Sequence, residues 1–278
     1  MNFIYKRILE HYNYLMEHGF EVICIMLQGS QNYNLDEYSD EYKSDVDTKA
    51  IVLPSFDDFI FSNPPTSTTI VLDNQEHIDV KDIRIMFDMF KKQNISYIEL
   101  LYSKYIFINP KYEKIISEMF EKRDLIAAID YNKFLKCIAG MAGNKLKALS
   151  HPYPNIKDKI DKFGYDGKQL SHLIRLFEFI SRYTRGVPIE DYLITEDREL
   201  LLNIKKQLNA EGTDYLSLPE ANALANFYFN EIKRIESRNL KKENLINEEG
   251  IKLLNKLQVK LIRQYYREEI MKNDDNNV

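Results

Sequence analysis

The sequence predicts an α+β chain, with a small mixed β-sheet domain over residues 1–110 and an all-helical domain over 111–278. Three observations carry this. Short runs rich in Val and Ile, broken by Gly, Pro and an Asp-Asn pair, fill the first third. Beyond Lys81 the apolar residues recur at three- and four-residue spacing to nearly the end of the chain. No internal repeat or long linker interrupts either part.

The elements follow in order. Phe3, Ile4, Ile8, Tyr12 and Leu15 fall on one helical face over residues 2–18, and Gly19 stops that helix. The apolar run ending at Leu27 predicts a strand over about 20–27, closed by Gly29-Ser30, where glycine permits a tight turn and serine can cap the next one. A second strand is expected over 45–53, ended by Pro54, and two more over 68–72 and 76–80, joined at Asp73-Asn74. Helices are expected over 82–93, 95–103, 111–122, 131–149, 167–184, 196–209, 218–239 and 248–272. Ser217-Leu218-Pro219-Glu220 reads as a capping box with proline in the first turn, Gly186 and Pro188 close the helix before it, and residues 273–278 read as a disordered tail.

Composition narrows the function. A formal net charge of −5 argues against coating long nucleic acid, which needs many Lys and Arg contacts to phosphate. Charge is nonetheless polarised: residues 133–185 hold eleven Lys or Arg against four Asp or Glu, while the loop from Asp36 to Asp47 is acidic. No apolar run approaches bilayer length and the first residues carry no secretory pattern, so a cytoplasmic protein without membrane contact is expected. Cys24 and Cys137 lie among apolar residues without a Cys or His at zinc spacing and read as buried free thiols.

The chemistry concentrates in Gly29-Ser30 and Ser44-Asp45-Val46-Asp47. In a strand, Asp45 and Asp47 project from the same side, and two like charges so close call for a cation. Oxygen-only ligands suit Mg²⁺, and two such ions can bridge carboxylates and phosphates during in-line displacement. Asp79, between Ile78 and Val80, adds a third strand carboxylate. Lys168, His172 and Arg175, at i, i+4 and i+7, share one helix face.

This arrangement resembles the DNA polymerase β-type nucleotidyltransferase superfamily, in which a Gly-Ser turn holds the nucleotide triphosphate and three strand aspartates bind two divalent metals; the matching positions are Gly29, Ser30, Asp45, Asp47 and Asp79. Three longer stretches, Gly29-Ser30-Gln31-Asn32-Tyr33, residues 94–103 (Asn-Ile-Ser-Tyr-Ile-Glu-Leu-Leu-Tyr-Ser) and residues 165–176, which contain Tyr165-Asp166-Gly167-Lys168 and His172-Leu173-Ile174-Arg175-Leu176, are similar to the RNA-ligase-associated nucleotidyltransferases (RlaP) over roughly 21–185. Departures from that pattern are Asn34 in place of glycine, Ser96 in place of proline, Gln169 in place of histidine, and a loop lengthened by residues 38–42.

The resemblance implies that residues 1–110 form a nucleotidyltransferase domain. The implied reaction transfers a nucleoside monophosphate from an NTP, such as ATP, to a hydroxyl with release of pyrophosphate. Asp45, Asp47 and Asp79 would hold two Mg²⁺ ions, or Mn²⁺, and Gly29, Ser30, Lys168, His172 and Arg175 would contact the nucleotide. The implied acceptor is an RNA 3′ end in RNA repair, tRNA-like, with an RNA ligase as partner. A protein or small-molecule hydroxyl is the alternative acceptor, and a non-catalytic NTP- or RNA-binding module the alternative class.

Overall fold

The computed structural model describes residues 2–38 and 43–275. In chain order the elements are α1 (Phe3–Glu17), β1 (Glu21–Gln28), β2 (Asp47–Leu53), α2 (Phe56–Ile60), β3 (Ser67–Val71), β4 (His77–Asp82), α3 (Ile83–Lys91), α4 (Ile95–Ile98), β5 (Ile106–Ile108), α5 (Glu113–Glu121), α6 (Arg123–Ala127), α7 (Tyr131–Ala148), α8 (Lys157–Phe163), α9 (Gly167–Thr184), α10 (Ile189–Leu193), α11 (Arg198–Lys205), α12 (Leu218–Asn239) and α13 (Glu248–Asp275). The fold is α+β, as the period change near Lys81 predicts. Two compact units emerge, one of Met1–Asn32, Tyr38–Asp130 and Leu245–Val278, the other of Tyr33–Glu37 and Tyr131–Asn244. They are interleaved in sequence, whereas the sequence reading divides the chain once, at 110/111.

In the first unit five strands form one mixed sheet in the order β3-β4-β2-β1-β5. β1 pairs antiparallel with β2 and β5, β2 pairs parallel with β4, and β3 pairs antiparallel with β4. Alternation sorts the side chains by face. Val22, Ile25, Leu27, Ala50, Val52, Ile78 and Val80 are buried with Ile8 and Leu15 of α1 in one core cluster. The alternate residues of β2 and β4, namely Asp47, Lys49, His77, Asp79 and Lys81, therefore share the opposite face. α1 is capped by the Asn2 side chain, which accepts from Ile4 N, and ends at Gly19 with a positive φ of 81°.

The second unit is helical. Phe134, Leu135 and Ile138 of α7, Leu170, Leu173 and Phe179 of α9, and Ala221, Ala225 and Ile232 of α12 are buried. The expected capping box forms between Ser217 and Glu220 at the start of α12. Asp166 caps α9 by accepting from Lys168 N at 3.0 Å. Gly167 is required by close approach: a Cβ there would meet the Ile204 carbonyl oxygen at 2.3 Å and that of Lys205 at 2.9 Å. Gly167→Ala is expected to destabilise the protein by about 3 kcal/mol, the upper end of ordinary overpacking, as read from denaturant unfolding of both proteins.

Several expectations need correction. β2 begins at Asp47, so Asp45 lies in the segment ahead of the strand and not on it. Residues 95–103 form α4 followed by a 3-10 turn rather than one helix. Cys24 is buried as expected, but Cys137 is half-buried. Residues 273–275 continue α13 rather than joining a tail; residues 276–278, and the lengthening of the loop at 39–42, lie outside the described residues.

Candidate active site

The site grows from the end of β1. Gly29 adopts a φ of 91°, which glycine takes without steric cost, and Ser30 opens a 3-10 turn, Ser30–Tyr33. A Cβ on Gly29 would lie 4.0 Å from Asp47 Oδ2 and 4.0 Å from Gln31 Oε1, so the position needs glycine for its backbone rather than for space. Asn32 pins the turn: its side-chain amide donates to Leu27 O at 2.7 Å, while its Oδ1 accepts from Lys104 N at 3.1 Å. Ser103 donates to the same Leu27 oxygen at 2.8 Å. The Ser30 hydroxyl, half-buried at the mouth of this turn, makes no hydrogen bond among the described residues.

Asp47 opens β2 opposite Gln28 of β1. Its Oδ1 accepts from the His77 backbone N–H at 3.0 Å and from the His77 ring Nδ1 at 3.1 Å. Asp45, two residues earlier, is exposed, and its backbone carbonyl accepts from Gln31 Nε2 at 2.6 Å. Gln31 is itself 3 % exposed and its Oε1 has no hydrogen-bond partner among the described residues.

Asp79 sits on β4 directly across from Lys49 of β2. Its carboxylate is held by two ammonium groups, Lys49 at 2.7 Å and Lys81 at 2.8 Å. Burial opposes its ionisation, yet Lys49 and Lys81 together keep its pKa below the ordinary aspartate value. Lys49 is 6 % exposed and lies 4.3 Å above the Tyr97 ring. Among the described residues, no group of three or more His, Cys, Asp or Glu is close enough to hold a metal ion. Asp45, Asp47 and Asp79 are thus neighbours in topology without converging on one point.

A buried network stands behind Asp47. Glu76 accepts from Arg7 Nε at 2.9 Å, from His11 Nε2 at 3.0 Å and, through Oε1, from Val46 N at 3.3 Å. His11 is fully buried, and its Nδ1 lies 2.9 Å from Thr48 Oγ1. Because the carboxylate only accepts, Nε2 carries the proton and Nδ1 accepts from the threonine. The network thereby grips the residues on both sides of Asp47. Burial pushes the His11 pKa down, more strongly than Glu76 raises it.

This has a pH consequence. An imidazole that protonates near 6.5 when unfolded, but only at lower pH when folded, makes the unfolded state the better proton acceptor between those values. Stability is then full above pH 6.5 and declines as pH falls from there toward the folded pKa. His172 is depressed in the same direction, by burial and then by Lys145, Arg175, Lys168 and Lys205. A fall in melting temperature is expected on going from pH 7 to 5.5, and a shallower fall in His172→Gln.

Lys168, His172 and Arg175 all lie on α9 in the second unit, apart in the chain's organisation from the aspartates of the first. They differ in exposure: Lys168 is exposed, His172 half-buried and Arg175 buried, its guanidinium stacked 3.7 Å from the Tyr33 ring centroid. Gln169, which replaces the motif's histidine, donates to Asp166 Oδ2 at 3.3 Å, and Asn34, which replaces its glycine, has a φ of 61°, a conformation asparagine tolerates. Sequence reasoning missed His77, Glu76, His11, Asn32 and Lys49. For His77 and Lys49 a signal existed, since each lies two residues from an aspartate and must share its face.

No family model and no curated protein matches the chain. Among solved structures it is similar to a nucleotidyltransferase-like protein from Exiguobacterium sibiricum 255-15, with 10 % identity over 84 % of this chain and 75 % of that one and a TM-score of 0.29. Among the described residues no helix is long and apolar enough to cross a membrane.

Proposed function

We propose that the chain is a metal-dependent nucleotidyltransferase that moves a nucleoside monophosphate from an NTP to a hydroxyl and releases pyrophosphate. The observation that carries this is the placement of the Gly29-Ser30 turn at the end of β1, Asp47 at the start of the adjacent β2, and Asp79 on the next strand, on the same face. The donor set of Asp45 and Asp47 fits Mg²⁺, being oxygen-only and open to solvent. Asp79 fits as a further ligand only once Lys49 and Lys81 release it. Bound to these carboxylates, one or two Mg²⁺ ions, or Mn²⁺, would neutralise phosphate charge and favour ionisation of the acceptor hydroxyl.

The chain's own groups do the rest. His77 occupies Asp47 Oδ1 and so orients the carboxylate, whose Oδ2 lies on the Gly29 side. The Ser30 hydroxyl and the backbone at Gly29 would contact the triphosphate, held in place by Asn32. Lys168, His172 and Arg175, all on α9, would contact phosphate. An RNA 3′ end, tRNA-like, is the acceptor that the RlaP resemblance favours, with an RNA ligase as a partner in repair.

The pairing of Asp79 with two lysines favours a second reading, a non-catalytic NTP- or RNA-binding module, because a carboxylate so engaged is a weak base and ligand. The deciding experiment offers each α-labelled NTP with Mg²⁺ to the protein alone, with intact tRNA and with nicked tRNA. Label on RNA supports the leading reading. Label on the protein or in a small molecule moves the acceptor there, and bound NTP without turnover selects the module.

A further inference from the structure

In the second unit the ends of three helices meet. The Asp166 N–H donates to Leu149 O at 2.8 Å, seating the start of α9 beside the end of α7. The close approach at Gly167 sets the same turn of α9 on the last turn of α11. Lys145 near the end of α7, Lys168 in the first turn of α9 and Lys205 at the end of α11 are thereby gathered, with His172 and Arg175 following along α9.

These charges feel one another. Burial lowers the Lys145 pKa, and Lys168 and Arg175 lower it further. Burial likewise lowers that of Lys205, with Glu37 opposing and Lys168, Lys206 and Lys159 adding to the fall. Counter-charge nearby is already committed: Asp166 to the α9 cap and Gln169, and Glu37 to Lys206 at 2.5 Å with Lys205 at 3.8 Å. The Lys145 and Lys168 ammonium groups and the His172 ring make no hydrogen bond or ion pair among the described residues. The C-terminal carbonyls of α7 and α11 favour a cation, but Lys168 stands at a helix N-terminus, where the dipole opposes one. Desolvated like charges gathered in this way cost stability that a bound anion offsets.

We propose that the convergent ends of α7, α9 and α11 form an oligophosphate-binding site made by Lys145, Lys168 and Lys205, with His172 and Arg175 following along α9. Lys145 and Lys205 extend it beyond the α9 motif. One phosphate group brings at most about two negative charges, so these cations match two or more linked phosphates, as in a nucleotide tail or pyrophosphate. The gathering of Lys145, Lys168 and Lys205 at three helix ends favours a compact anion over an extended RNA backbone. The assignment stands on this unit's own charges and holds for an enzyme and for a binding module alike.

The test is calorimetric titration of the full chain with inorganic tripolyphosphate in metal-free buffer. Wild type binds, Lys145→Gln and Lys205→Gln each weaken binding by about tenfold, the effect of one charge-assisted hydrogen bond, and Lys147→Gln, an exposed neighbour on α7, leaves it unchanged. The metal-free buffer, in which the carboxylates of the first unit hold no Mg²⁺, separates this site from the proposed catalysis. Melting temperatures of the two lysine variants rise, since each loses a penalised charge, so weakened binding is not unfolding. Absence of binding by wild type, or undiminished binding by the Lys145→Gln/Lys205→Gln double variant, overturns the proposal. So does equal competition by a 5′-hydroxyl RNA oligonucleotide, whose phosphates are single diesters and not a phosphoanhydride chain.

Discussion

Asp47→Asn is expected to reduce the proposed nucleotidyl transfer by on the order of 10³-fold, about 4 kcal/mol of transition-state stabilisation, and to leave the fold intact. The side chain is about one-third exposed, so little packing is at stake. An asparagine amide keeps the size of the carboxylate, and its oxygen still accepts from the His77 N–H, so the backbone link between β2 and β4 survives. What it loses is the negative charge beside the Gly29 turn. Substitution at Asp45 is expected to act in the same direction but less strongly, because Asp45 is exposed in the segment ahead of the strand. Rates of labelled transfer, measured beside melting temperatures, check both parts.

Glu76→Ala has the largest expected effect on stability, a loss of about 3–5 kcal/mol. Glu76 is 6 % exposed and serves Arg7, His11 and Val46 together. Its removal strands the buried His11 imidazole N–H, leaves Arg7 with Glu10 as its remaining carboxylate partner, and releases the chain between Asp45 and Asp47. Burial opposes ionisation of Glu76, but Arg7, Asn74 and His11 outweigh it and hold its pKa below 4.5, so its stabilisation is present above that pH and lost in more acid solution. Denaturant unfolding at pH 7 should show the deficit, and at pH 3 the two proteins should lie closer together. Equal stability at pH 7 would mean that the network carries little weight.

Much of the site was legible because it obeys local rules. Gly29 had to take a positive φ at the end of an apolar run, and the alternation of β4 put Asp79 on the face away from Ile78 and Val80. Other features depend on pairings the sequence does not announce. The β1–β2 ladder closes at Gln28 and Asp47, so Asp45 falls outside the strand although it keeps the period of two. The parallel pairing of β2 with β4 sets Lys49 against Asp79, thirty residues away, and so gives the expected metal ligand an ion-pair partner that the sequence does not announce. His11 and Glu76 are 65 residues apart and meet only once α1 lies on the sheet. The three-residue β5 is too short for a periodic signal, and the amphipathic pattern of α13 fixes a helix without saying which core it joins; Tyr266 donates to Ser55 O at 3.2 Å, in the first unit.

Pyrophosphate release per chain, measured with each NTP and Mg²⁺ for wild type and Asp47→Asn, tests the central claim most directly. Sustained release by wild type that vanishes without Mg²⁺ and in the variant is the expected result. Bound nucleotide with no release from wild type, under conditions where the fold is intact, would contradict it.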